Sequence, residues 1–152
     1  MEFKIREASL HDVEIIAGFN AEMAKETEGK ELEFITIAEG IKGLMNKPQY
    51  GRYIIAETGG KPVGCLMITY EWTDWRNGLF WWIQSVYVKK EFRSKGIYRA
   101  MHEYIRTEAT HEENVVGLRL YVEKENSAAM AVYNKMGMKE TRYKLFEEEI
   151  KK

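Results

Sequence analysis

The stretch from Val86 to Tyr104 constrains this chain more than any other. An apolar, β-branched run ends at Val88, a charged turn follows, and apolar residues then recur at Ile97, Met101, Tyr104 and Ile105. The first pattern is that of a strand, and the second has the spacing of a helix. The turn between them brings Arg93, Ser94, Lys95 and Gly96 to a helix start. The leading N–H groups of a helix have no intrahelical acceptor and its dipole is positive at that end, so an anion is favoured there. Gly96 has no Cβ to hold a ligand away from the backbone. Arg93, Lys95 and Arg99 add charge. The chemistry suits a phosphate or pyrophosphate. Neither Gly-x-x-x-x-Gly-Lys-Ser/Thr nor Gly-x-Gly-x-x-Gly occurs in the chain, so this is not one of the two commonest nucleotide cradles.

The rest of the composition narrows the partner. The chain has 152 residues, enough for one domain with a proper core, and is expected to form a single domain over 1–152. Lys plus Arg is 23 against 24 Asp plus Glu, so the basic turn is a local patch and a nucleic-acid partner is not expected. The lone cysteine, Cys65, excludes an internal disulfide and lies in an apolar run, where it reads as a packing residue. The three histidines, His11, His102 and His111, have no metal-ligand spacing with each other or with Cys65, so no metal is expected. They read as solvated helix residues. No signal peptide or membrane-spanning run is evident, which makes the cytoplasm the expected compartment and leaves no role for a membrane.

Along the chain, Phe3 to Ala8 alternates as a short strand. Ser9 and Asp12 form a capping box ahead of a helix with Val13, Ile16, Ala17, Met23 and Ala24 as its stripe. Thr36 and Glu39 form a second box, and Pro48 stops that helix. Tyr50–Thr58, Gly59-Gly60 and Lys61–Glu71 read as a hairpin, apolar on both faces, hence a central sheet covered on two sides. Leu79–Val88 is the strand leading into the basic turn. A strand over Asn114–Glu123, a helix over Asn126–Met136 capped by Gly137, and a last strand over Met138–Phe146 complete the expected order.

Two segments together resemble a known family. Arg93-Ser94-Lys95-Gly96-Ile97-Tyr98 resembles motif A of the GCN5-related N-acetyltransferases, Gln/Arg-x-x-Gly-x-Gly/Ala, with Tyr98 at the position of the small residue. Asn126, Ala129, Tyr133 and Gly137 match their motif B, with Met138 in place of the usual Phe. The order of elements matches as well, and the resemblance covers nearly the whole chain. It implies an α/β fold with a mixed, mostly antiparallel sheet and about four helices, splayed between the motif A strand and the strand that follows.

The resemblance also implies acetyl-CoA as co-substrate. Its pyrophosphate would lie on Arg93, Ser94, Lys95, Gly96, Ile97, Tyr98 and Arg99. Its pantetheine arm would pair with the backbone of Val86, Tyr87 and Val88 as an added strand. Asn126, Ala129 and Tyr133 would complete the cofactor site, with the Tyr133 phenol beside the sulfur to protonate the leaving thiolate. Taken from motif B alone, Tyr133 reads equally well as a core tyrosine, and Asn126 as a helix N-cap.

The acceptor that the resemblance implies is an amine, which must lose a proton before it attacks. Glu71 and Asp74, in an aromatic loop with Trp72 and Trp75, are the candidate bases, and Gln84 can orient a water or the acceptor. Trp81 and Trp82 are adjacent on a strand and must face opposite sides. The expected activity is N-acetyl transfer from acetyl-CoA to a primary amine by direct attack. Two rivals stand beside it: an inactive acyl-CoA-binding module, and a nucleotide binder resting on the basic turn alone. The family often dimerises, so a homodimer is a further expectation.

Overall fold

A computed structural model of the chain describes residues 2–152. Two compact units divide it, one ending at Tyr121 and the other running from Val122 to Lys152.

In the first unit β1 (Lys4–Glu7) leads through a short 3-10 turn at Leu10–Asp12 into α1 (Val13–Glu28) and α2 (Phe34–Met45). Then come β2 (Gly51–Thr58), β3 (Lys61–Thr73) and β4 (Gly78–Val88), α3 (Ile97–His111) and β5 (Val115–Arg119). The strands form one sheet in the order β1-β2-β3-β4-β5. Neighbours are antiparallel except β4 and β5, which are parallel. This is the mixed, mostly antiparallel sheet expected from the sequence.

Alternation along the central strands builds two apolar layers. Ile54, Leu66, Ile68, Trp81 and Ile83 meet Ile97, Met101 and Ile105 of α3. On the other face Tyr53, Ile55, Cys65 and Tyr87 meet Ile16, Ala17, Phe19 and Ile41 of α1 and α2. Both strands of the β2–β3 hairpin are buried on both faces, which is why they read as continuous apolar runs. Gly59 and Gly60 turn that hairpin with φ of 58° and 77°, values that glycine adopts without steric cost.

The entry to α1 is fixed electrostatically. The Asp12 carboxylate accepts the Ser9 N–H at 2.8 Å and two bonds from the Arg6 guanidinium. Those donors hold its carboxyl below the usual range. The second capping signal is displaced: α2 begins at Phe34, and Thr36 donates its hydroxyl to the Glu33 carboxylate one turn earlier. β5 is also shorter than its apolar pattern suggests, ending at Arg119.

The second unit holds α4 (Ser127–Lys135). Asn126 caps it, its side chain accepting the Ala129 N–H at 3.1 Å, and Gly137 closes it with φ of 94°. The strand expected over Met138–Phe146 is absent: this stretch enters no ladder, and from Lys139 onward every residue is exposed. A strand needs a neighbour for its N–H and C=O groups, and among the described residues this segment pairs with none.

Candidate active site

The sheet forks beside the basic turn. β4 and β5 pair from Leu79–Val115 as far as Trp82–Arg119, and β4 then runs on to Val88 without β5 beside it. The paired part is tight because Gly117 lies on Phe80, where a Cβ would come within 2.7 Å of the ring. Past the fork, the edge of β4 is open to a ladder with an extended ligand.

A β-bulge sits at the fork. Cys65 is opposite Tyr87 and Met67 is opposite Gln84, so β4 carries one residue more than β3 over this interval. Ser85 takes it up with φ of 52°, unusual for a residue with a side chain. The bulge reverses the strand's parity. Before it, Trp81 and Ile83 face α3; after it, Tyr87 faces α1 while Val86 and Val88 pack toward α3. Bulges of this kind re-aim backbone groups beside sites, and strained residues concentrate there.

At the mouth of the fork the chain turns into α3. Ser94 and Gly96 are both left-handed, with φ of 62° and 85°, and Gly96 is the helix N-cap. A Cβ at Gly96 would meet nothing within 4 Å, so the space over this backbone is open to a ligand. The Ala100 N–H is the first to bond within the helix, to the Gly96 carbonyl. The amides before it are those that a helix start turns toward an anion. Ile97 buries its side chain in the core and offers this cradle its backbone.

The cations of the cradle differ in what holds them. Arg93 donates from Nε to the Val88 carbonyl at 2.8 Å and from Nη2 to Glu26 at 2.8 Å, with its guanidinium 5.3 Å from the Tyr87 ring. It ties the turn to the end of β4 and to α1. Lys95 Nζ lies 5.8 Å from the Phe92 ring, and Arg99 is exposed on the first turn of α3. Tyr87 packs its ring on Phe19, so what it can offer a cofactor is backbone. Tyr98 turns its phenol along the helix to His102 Nδ1, 3.0 Å away. His102 was expected in solvent and is instead almost wholly buried, and burial lowers its pKa. The i, i+4 spacing puts Tyr98 beside His102 on one face of α3.

A row of polar groups lies on the sheet face opposite α3. Gln84 donates to the Thr69 hydroxyl at 2.6 Å. Glu71 Oε1 accepts from Trp82 Nε1 at 3.1 Å and from Arg119 Nη1 at 2.8 Å. The Arg119 guanidinium lies 3.7 Å over the Phe80 ring, and Trp82 and Tyr121 rings are 6.0 Å apart. Trp81 faces the other way, with the Arg52 guanidinium over its ring at 5.0 Å. Asp74 is not part of this row. It is exposed in the β3–β4 turn, where its carbonyl accepts the Asn77 N–H. Trp72 and Trp75 are exposed near the same hairpin tip.

Trp82 and Gln84 were legible as one face of their strand by alternation, but Thr69 and Arg119 enter the row through the β3–β4 and β4–β5 registers, for which the sequence carries no signal. Cys65 is buried and its thiol is pushed up to about 12, so it stays protonated at neutral pH. Among the described residues no group of three or more His, Cys, Asp or Glu is placed to hold a metal, and no helix is long and apolar enough to cross a membrane. In the second unit Tyr133 is half-buried, and burial raises its phenol pKa, keeping it protonated.

A mixed sheet forked at its parallel pair, with a glycine-capped helix start at the fork, is the arrangement of the acyl-CoA N-acyltransferase class of α/β fold. The profile of the acetyltransferase (GNAT) family matches residues 15–138, and the chain belongs to that family. Among solved structures, the chain is similar to a possible acetyltransferase from Clostridium difficile 630, at 47% identity and a TM-score of 0.92 over 100% of both chains. It shares its fold with a predicted acetyltransferase with acetyl-CoA from Clostridium acetobutylicum, at 19% identity and a TM-score of 0.78 over 97% and 96% of the two chains. The same holds for glucosamine-6-phosphate N-acetyltransferase from Arabidopsis thaliana, at 19% identity and a TM-score of 0.73 over 97% and 99%. No curated protein matches the chain.

Proposed function

We propose that the chain, acting as one domain over 1–152, is an acetyl-CoA-dependent N-acetyltransferase in which a bound primary amine attacks the thioester directly. The observation that carries this reading is the fork past Trp82 and Arg119 with the open Gly96 cradle at its mouth. Backbone amides from Ser94 to Arg99, with Lys95 and Arg99, take the pyrophosphate. Arg93 keeps the turn in place and adds its charge. The β4 backbone from Val86 to Val88 pairs with the pantetheine arm, and an amide at the Ser85 bulge stabilises the oxyanion that forms on attack.

Glu71 and Gln84 serve the acceptor. Both bonds that Glu71 accepts from Trp82 and Arg119 end on Oε1, which leaves Oε2 to draw in the ammonium or to take its proton. Asp74, at the exposed hairpin tip, attracts a cation at longer range. Tyr133, with Asn126 and Ala129 in the same motif, is the proton donor to the thiolate. Its raised pKa supports that role, because an acid must hold its proton until it is needed.

The test is CoA release from acetyl-CoA against a broad panel of amines. Release that requires one acceptor establishes the enzyme. Tight acetyl-CoA binding with no release on any amine would make the chain an acyl-CoA-binding module.

A further inference from the structure

The row of polar groups opposite α3 holds more positive charge than taking a proton from an amine requires. Two guanidiniums share the buried Phe80 ring, Arg119 at 3.7 Å from its centroid and Arg76 at 5.2 Å. They are no farther apart than the sum of those distances, so their like charges repel at ordinary salt. One carboxylate answers them, Glu71, and it bonds Arg119. Asp74, in the turn that carries Arg76, forms no ion pair with either among the described residues. Of the N–H groups on the Arg119 guanidinium, one goes to Glu71, and the rest find no acceptor among the described residues. Its side chain is 29% exposed. The result is a planar fork of donors, fixed by Phe80 and Glu71 and open on its remaining edge. That geometry matches the two oxygens of a carboxylate or a phosphate.

We propose that Arg119 is the specificity-determining residue of the acceptor site, and that the acceptor is an amine which also carries an anionic group, a carboxylate or a phosphate. This rests on the acetyltransferase reading above and narrows its acceptor. The anion lies on the free edge of the Arg119 fork, with Arg76 adding attraction from the hairpin turn. The ammonium lies on Glu71 Oε2. Glu71 and Arg119 touch, so the two groups of the acceptor sit side by side, each on the charge of opposite sign. A polyamine brings a second positive charge to the paired guanidiniums and is disfavoured by them. An acidic amine relieves their repulsion, and the protein keeps that repulsion in place for the ligand to neutralise.

The test is CoA release on matched acceptors that differ only in the acidic group: phenylalanine against phenethylamine, lysine against cadaverine, and phosphoethanolamine against ethanolamine. In the amino-acid pairs, the phosphate pair or both, kcat/KM should favour the acid-bearing member. The acidic group also alters the amine's own pKa, so the deciding quantity is how that ratio changes on substitution. Arg119→Ala and Arg119→Lys should each cut it about tenfold, mostly through KM, because each loses the forked contact. Arg76→Ala, in the exposed turn, should cut it less. A merely structural Arg119 would lower turnover on both members of a pair and leave the ratio alone. A parent that uses every plain amine as well as its acidic counterpart overturns the proposal, as does a ratio unmoved in both Arg119 variants. In either case CoA release itself leaves the enzyme standing. If no acceptor releases CoA, calorimetry of the CoA-loaded chain with the same pairs decides. Selective binding of an acidic member, lost in Arg119→Lys, keeps the anion subsite and ends the transferase reading, and no binding by any member ends both.

Discussion

Arg119 Nη1 lies 2.8 Å from Glu71 Oε1, joining the last paired residue of β5 to the middle strand of the sheet across 48 positions of sequence. The same carboxylate oxygen accepts the Trp82 indole N–H at 3.1 Å. Glu71 is therefore held in one orientation at the point where β4 and β5 part. A carboxylate so fixed can aim its second oxygen, which a solvated one cannot do.

The first prediction follows from that orientation. Glu71→Gln keeps the shape and an acceptor for Trp82 but removes the charge. The pair with Arg119 is partly exposed, so stability should fall by less than about 1 kcal/mol. Turnover should fall, most strongly at low pH, where the amine is most fully protonated and most needs a base. The pH–rate profile and a denaturant melt on the same sample check this. An unchanged profile would leave Glu71 as an anchor for Trp82 and Arg119. Asp74→Asn, in the exposed turn, is the comparison and should have the smaller effect.

A second prediction concerns the cradle. Lys95→Ala and Arg99→Ala each remove a cation not tied into the turn. Each should weaken acetyl-CoA binding by about 1.5–3 kcal/mol if it contacts the pyrophosphate. Arg93→Ala should weaken it too and also lower the melting temperature, because it frees the Val88 carbonyl and the Glu26 carboxylate. Calorimetric titration with acetyl-CoA separates the cases. Parental affinity in Lys95→Ala and Arg99→Ala together would confine pyrophosphate binding to the backbone.

A third prediction isolates the Tyr133 hydroxyl. Tyr133→Phe keeps the ring, so fold and acetyl-CoA affinity should survive while turnover drops about 10²-fold, the low end for a general acid because a thiolate is a fair leaving group. Turnover and melting temperature measured on one preparation decide it. Normal turnover with a lowered melting temperature would assign Tyr133 to packing.

The fourth is a pH dependence of stability. His102 is buried, and its folded pKa lies below the ordinary 6.5. The unfolded chain then binds the proton more readily than the folded one. The stability His102 contributes is complete above about pH 6.5 and is lost as pH falls through its folded pKa. Asp12, whose pKa is also lowered, acts further into acid, below its ordinary 3.8. Denaturation midpoints between pH 7.5 and 5 should therefore fall, and His102→Gln should flatten that slope. A slope unchanged in the variant would assign the effect to other groups.

The sequence by itself determined what rests on short-range pattern. Alternation located β2, β3 and β4, helical spacing located α1, α3 and α4, and Gly59-Gly60, Asn126 and Gly137 marked their turn, cap and stop. These are decided within a few residues by sterics and local hydrogen bonds. The turn from β4 into α3 was legible for the same reason, since its residues are consecutive. Only the tertiary structure decided the rest. The Ser85 bulge comes from the register of β3 on β4, and a register shift leaves no mark in one strand's own composition. Arg119 joins Glu71 because β5 lies parallel beside β4, and His102 is buried because of where α3 packs. The alternating run after Gly137 announced a strand, yet no strand formed. A strand is a property of two segments, and among the described residues this one pairs with none.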